Sequence, residues 1–184
     1  MSDEARTIRW RSLADGGLEH SVVKIGATGI AAEGVVIAGD GDAAYGLRYR
    51  VVVDAEWAGL RSLHVTRLGG TTVALRHDGY GEWTDGEGKK RADLSKCYDA
   101  SLDATPFALS VMLKRMAWKP GKAQELSFIR IAAPSLEVTR IKAKVTATEP
   151  GRIYSMVAED GSPEEIEVDD EGIVVRIGER LQRV

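Results

Sequence analysis

The stretch 105–118, Thr-Pro-Phe-Ala-Leu-Ser-Val-Met-Leu-Lys-Arg-Met-Ala-Trp, restricts what this chain can fold into more than any other part of it. Thr105 is a good N-cap, because its hydroxyl can accept from an orphan amide of the first turn. Pro106 suits the first helical position, where no backbone donor is needed. Asp103 adds negative charge near the positive end of the helix dipole. Beyond that start, Phe107, Leu109, Val111, Met112, Leu113 and Met116 form no single stripe. They point nearly all round the axis, broken by Ser110, Lys114 and Arg115. A helix apolar on most sides has to be surrounded, and burying six such side chains contributes on the order of 10 kcal/mol. No other segment makes a convincing helix, so the surroundings must be sheet.

The rest of the chain alternates with period two and is punctuated by glycine. Strands are expected over 7–13, 18–25, 30–37, 45–57, 61–68, 72–77, 80–84, 97–103, 125–132, 136–148, 152–158, 165–168 and 173–177. The clearest is 45–57, where Leu47, Tyr49, Val51, Val53, Ala55 and Trp57 share one face. Gly69-Gly70 is a strong hairpin signal. Pro150-Gly151, Asp160-Gly161 and Glu171-Gly172 mark the last turns. The alternation in 136–148 slips between Val138 and Ile141, which predicts a β-bulge there. Connections this short predict antiparallel pairing. No repeat or linker divides the chain, so residues 1–184 read as one domain.

Composition removes several classes of function. A net charge of −3 over 184 residues, with only Lys89-Lys90-Arg91 as a basic cluster, argues against a nucleic-acid partner. No apolar run approaches the ~20 residues that span a bilayer. Cys97 is the only cysteine, so no intrachain disulfide forms. The amino terminus lacks a basic region followed by an apolar run, and the expected location is the cytoplasm.

The sequence offers few catalytic constellations. Asp93, Asp99 and Asp103, with His77-Asp78, are the strongest enzymatic signal. On one extended strand, however, Asp99 and Asp103 stand ~13 Å apart, beyond the ~5–9.5 Å of a glycosidase pair. They read as aspartates on a solvent face and at a helix entrance. His20, His64 and His77 lie on different strands without ligand spacing, so no metal site is expected. No phosphate-binding glycine loop or nucleophile elbow occurs, no cofactor is implied, and Cys97 has no evident base. The eight carboxylates of 159–171 do not follow a calcium-loop pattern and read as a solvated hairpin. Tyr80 and Trp83, flanking Gly81, are expected in the core; exposed, they would form a platform for a carbohydrate or lipid headgroup.

The order of these motifs resembles that of the bacterial putative glycolipid-binding family. His77, Gly79, Gly81 and Trp83 match a His-x-Gly-x-Gly-x-Trp-like segment. Leu94, Cys97, Asp99, Leu102, Thr105 and Pro106 match Leu-x-x-Cys-x-Asp-x-x-Leu-x-x-Thr-Pro. Lys114-Arg115-Met116 with Pro120-Gly121, Pro134-Ser135-Leu136 and Asp169–Val174 continue the likeness. The chain departs from it at Ala108-Leu109 and Met112, where members carry a Thr-Asn pair and a proline, and at Arg176-Ile177-Gly178. The resemblance implies a mainly β fold, a spiral β-roll in which a long curved, largely antiparallel sheet wraps around a single central α-helix. It is also compatible with a homodimer.

Two functions follow as expectations. One is non-catalytic binding of an amphiphile, a glycolipid or lipid, in a cavity between sheet and helix. The other is a hydrolase-type enzyme using Asp99, Asp103 or His77. For the binder, the candidate ligand residues are Arg48, Arg50, Arg67, Arg76, His77, Trp83 and Arg115. Arginines favour anionic groups through paired, charge-assisted bonds, although each alone also fits a solvated face.

Overall fold

A computed structural model of the protein describes residues 4–159 and 161–184. The first seven strands are β1 (Glu4–Ser12), β2 (Leu18–Gly26), β3 (Gly29–Ala38), β4 (Tyr45–Val53), β5 (Leu60–Arg67), β6 (Thr72–His77) and β7 (Trp83–Asp85). After them come β8 (Ala100–Leu102), helix α1 (Phe107–Arg115), β9 (Ala123–Ile131), β10 (Val138–Glu149), β11 (Ile153–Ala158), β12 (Glu164–Val168), β13 (Val174–Ile177) and β14 (Leu181–Arg183). All fourteen strands belong to one sheet, in the order β7-β6-β5-β4-β3-β2-β1-β14-β13-β12-β11-β10-β9-β8. Strands β1–β7 and β9–β14 are each antiparallel meanders of sequence neighbours, joined where β1 pairs with β14 (Trp10 opposite Arg183), and β8 adds a parallel edge beside β9.

That order forces curvature. The two edge strands, β7 and β8, are neighbours in sequence, joined only by residues 86–99. A flat sheet of this width would hold its edges ~62 Å apart, and fourteen residues bridge at most ~50 Å even when fully extended. The connection is not extended, since it turns at Asp85–Lys89 and forms a 3-10 turn at Ala92–Leu94. The edges are brought together, and Trp83 Nε1 donates to Cys97 O at 2.8 Å across the join.

Helix α1 is shorter than its sequence signal, because its last residue is Arg115 and Met116 is already extended. Pro106 takes the cap position, while Thr105 Oγ1 still accepts from the Phe107 amide at 3.3 Å. Every residue from Phe107 to Leu113 is buried, as an all-round apolar helix requires. Phe107, Ala108 and Val111 pack into a core built largely by β1–β7. Leu109, Met112 and Leu113 pack into a second core built by β9–β14. The polar break at Ser110 also has a purpose. Its hydroxyl donates to Pro106 O and accepts from the Val174 amide at 3.0 Å, fixing the helix to β13.

Most expected strands are present, and the hairpin at Gly69-Gly70 joins β5 to β6. Several expectations are corrected. Strand β4 stops at Val53, because the Asp54 carboxylate accepts from the amides of Glu56 and Ala58 and bends the chain. Trp57 therefore sits in a turn with φ 58°, its ring 6.1 Å from Phe107. Tyr80 is 85% exposed in the turn before β7, whereas Trp83 is fully buried. Only Ala100–Leu102 of the expected 97–103 strand is regular. It runs parallel to β9, since the connection carrying α1 is long enough for a crossover. Pairing of β10 with β9 is regular through 138–146, and the irregularity lies at Ala147/Glu149 against β11. Strand β14 carried too short a signal to be read. The Asp160 half of the Asp160-Gly161 turn lies outside the described residues.

Candidate functional site

A partly open cavity of about 370 Å³ lies along α1, walled by β9, β10, β11 and β13. Its interior is apolar: Leu102, Leu109, Phe128, Ile141, Met156 and Ile177 line it. The alternation of the strands puts these side chains inward, and Leu109 supplies the helix side. Two ion pairs stand among the lining groups. Arg130 Nε lies 2.9 and 3.0 Å from the two carboxylate oxygens of Asp103. Arg180 grips Glu164 through Nε (2.9 Å) and Nη2 (3.3 Å), and its Nη1 donates to Asp103 O.

Asp103 and Arg180 also line a second, smaller chamber of about 190 Å³. Ser12, Asp15, Glu19 and Tyr45 bring polar groups into it beside Trp10, while Leu18, Val36, Ala38 and Leu181 are among its apolar walls. Glu19 is its unusual member. It lies on the inward row of β2 with Ser21 and Val23, and it is 4% exposed. Its Oε1 accepts from the hydroxyls of Tyr49 and Thr105, the latter at 2.7 Å. Tyr49 Oη is also 3.0 Å from Ser21 Oγ. Gly34 permits this arrangement, because a Cβ there would meet the Tyr49 ring at 2.4 Å. Glu19 Oε2 has no hydrogen-bond partner among the described residues. Burial pushes the Glu19 carboxyl up to about 8, despite the opposing pull of the Tyr49 and Thr105 hydrogen bonds. Burial, followed by the charge of Glu19, also holds the Tyr49 phenol well above its usual value. Near neutrality the carboxyl is a neutral acid. Oε1 accepts, and Oε2, buried without a partner among the described residues, is free to carry the proton.

The residues singled out from the sequence fall in three places. His77, Trp83 and Arg115 are brought together. The His77 ring stacks on Trp83 with centroids 4.6 Å apart. Its Nδ1 lies 3.2 Å from Leu60 O, and its Nε2 accepts from the Gly81 amide, so the ring is held as one neutral tautomer. Burial holds its pKa below the usual imidazole value. Arg115 clamps Asp99 with two bonds, at 3.2 and 2.5 Å, and lies over the Tyr98 ring. Arg48, Arg50 and Arg76 sit on the outward rows of β4 and β6, with Arg50 3.2 Å from Glu33. Arg67 ends β5, opposite Leu47. None of these seven lines the apolar cavity.

Asp99 does not face solvent as expected, while Asp103 stands half-buried at the helix entrance. Asp99 is 3% exposed and paired with Arg115, and Asp103 is paired with Arg130. Cys97 is buried, which raises its thiol pKa. No grouping of three or more metal-ligating side chains occurs among the described residues, and no helix there is long and apolar enough to cross a membrane. The sequence reading missed Glu19, Ser21, Arg130 and Arg180. Only the inward parity of β2 could have revealed Glu19, and Leu18 and Val22 on the opposite parity hid that signal.

The fold and site define a mainly β protein: a single open, curved sheet with one short buried helix and an apolar cavity beside it. The chain belongs to the family described as "Putative glycolipid-binding", whose model matches residues 7–183, and membership supports a binding role in general. Among solved structures it is similar to a DUF1089 family protein from Pseudomonas aeruginosa. That match has 27% identity, a TM-score of 0.79 and 95% of each chain covered. It is also similar to a beta-barrel-like protein of the domain of unknown function DUF1849 from Brucella abortus. There identity is 10% and the TM-score 0.52, with 100% of this chain and 96% of that one covered, a likeness of fold alone. A search of curated proteins found no match.

Proposed function

We propose that the protein is a non-catalytic binder of one amphiphile, a glycolipid or lipid, held where the sheet of a spiral β-roll wraps α1. The observation that carries this reading is the apolar cavity along α1, which shares Asp103 and Arg180 with a smaller chamber where Ser12, Asp15 and Tyr45 add polar groups. Ligand pockets are largely apolar with a few convergent polar groups, and about 370 Å³ is at the small end of their ~300–1,000 Å³ range. That volume suits one acyl chain better than two. The adjoining chamber adds the Ser12 and Tyr45 hydroxyls and the Asp15 carboxylate for a hydroxylated headgroup, and Arg130 and Arg180, each paired with a carboxylate, are the cations among the groups lining the cavity. The hydrolase reading has less support, since Asp99, Asp103 and His77 are each engaged by structural partners and only Asp103 lines the cavity.

Native mass spectrometry of the purified protein, with binding of a fluorescent acyl probe, tests the reading. Ala158→Trp places a large ring in the apolar cavity at a half-buried site. A folded Ala158→Trp variant that has lost the probe supports the site, and undiminished binding removes it.

A further inference from the structure

The outward face of β1–β4 has a pattern that the cavity does not use. Strand pairing sets its side chains in rows across the four strands. One row reads Arg11, Leu18, Ile37, and the next reads Arg9, His20, Val35, Arg48. The apolar side chains therefore form a strip over β2 and β3, with arginines on β1 and β4 either side. Leu18 is 51%, Val35 47% and Ile37 71% exposed. Large apolar groups gathered this openly mark an interaction site.

Charge on this face is one-sided. Lys24 and Arg50 join the arginines of the two rows, and among the described residues on these outward rows the carboxylate is Glu33, paired with Arg50. The whole protein is nonetheless acidic, at −3. The outward rows of β9–β13 are mixed by comparison, with Lys144 opposite Glu125 and Arg176 opposite Glu167. Two occupants fit poorly. A second copy meeting this face isologously would set arginine against arginine. A nucleic-acid backbone would use the arginines but leave Leu18, Val35 and Ile37 against phosphate. An anionic lipid surface uses both, because phosphates meet the guanidinium groups while apolar side chains enter the headgroup boundary.

We propose that the outward face of β1–β4 docks the protein on an anionic membrane surface, with Leu18, Val35 and Ile37 inserted and Arg9, Arg11 and Arg48 on lipid phosphates. This stands independently of the ligand in the cavity. The test is co-sedimentation with phosphatidylcholine vesicles with and without phosphatidylglycerol, at low and high salt. Wild type should pellet with the anionic vesicles and be released by salt. Arg11→Glu and Arg48→Glu, exposed and checked for an unchanged melting temperature, should each weaken binding about tenfold. Ile37→Asp should weaken it at both salt concentrations, and acyl-probe binding in the cavity should survive in all three. Equal pelleting with neutral vesicles, or retention by the charge-reversed variants, would overturn the proposal. So would an oligonucleotide complex or an Ile37-dependent dimer in a protein that ignores vesicles.

Discussion

Thr105 Oγ1 donates to Glu19 Oε1 at 2.7 Å and thereby ties the start of α1 to strand β2, 86 residues away in sequence. The same hydroxyl accepts from the Phe107 amide, so one side chain both supports the helix start and satisfies a buried acid. The bond also connects the two chambers, because Thr105 lines the larger one and Glu19 the smaller.

A buried acid raised in this way predicts a distinctive pH dependence. In the unfolded chain Glu19 titrates near its ordinary 4.5, and in the fold near about 8. Below pH 4.5 both states hold the proton and the site carries no penalty. As pH rises through the window, the unfolded state ionises while the fold does not, so stability from this group falls, fully by about pH 8. The loss is on the order of 5 kcal/mol. Glu19→Gln keeps the acceptor for Tyr49 and Thr105 without the ionisation. Its advantage over wild type in urea denaturation should grow from pH 5 to pH 8, and a constant difference would show that Glu19 titrates normally.

Thr105→Ala should cost more than the ~1 kcal/mol of an ordinary lost cap. It also removes a donor from a buried carboxyl, a loss of about 1–3 kcal/mol in itself. In a Glu19→Gln background part of that penalty should persist, since the amide oxygen still needs its donor. Thr105→Ser should retain most of the stability, and a Thr105→Ala midpoint that does not shift would remove both roles.

The buried helix and most of the strands were legible because periodicity is a local signal. Residues 107–113 are apolar on every side, and 45–53 alternates cleanly. What escaped notice depended on partners distant in sequence. Asp99 reads as a solvated aspartate until Arg115 is found beside it, and Asp103 until Arg130 is. The end of β4 turns on one side chain, Asp54, capturing two amides, which alternation cannot register. Glu19 and Ser21 share a strand whose two faces are nearly equally apolar in sequence. The arginines of β4 were noticed for their chemistry, but only the register against β1, β2 and β3 shows that they flank an apolar strip.

Gly34→Ala should destabilise the protein through Tyr49. The new Cβ would lie 2.4 Å from one ring carbon and 2.6 Å from the phenolic oxygen. Since the ring spans Gly34 to reach Glu19 and Ser21, it cannot move aside and keep both bonds. Breaking them exposes no water to the buried acid, so a cost of about 1–3 kcal/mol is expected. A double-mutant cycle checks the cause. In a Tyr49→Ala background the Gly34→Ala penalty should nearly vanish, and an unchanged penalty would place the strain in the β3 backbone instead.

The pair Arg115–Asp99 separates a structural role from a ligand-binding one. Asp99 is buried with a 4% exposed side chain, Arg115 is 24% exposed, and the two bonds between them run from the helix end to the connection before β8. Arg115→Met strands a buried carboxylate, which costs about 3–5 kcal/mol. Arg115→Met with Asp99→Leu removes both charges, so much of the stability should return. The acyl probe should bind the double variant as it binds wild type, because neither residue lines the cavity. Loss of the probe in a double variant with a restored melting temperature would instead place Arg115 or Asp99 in the binding site.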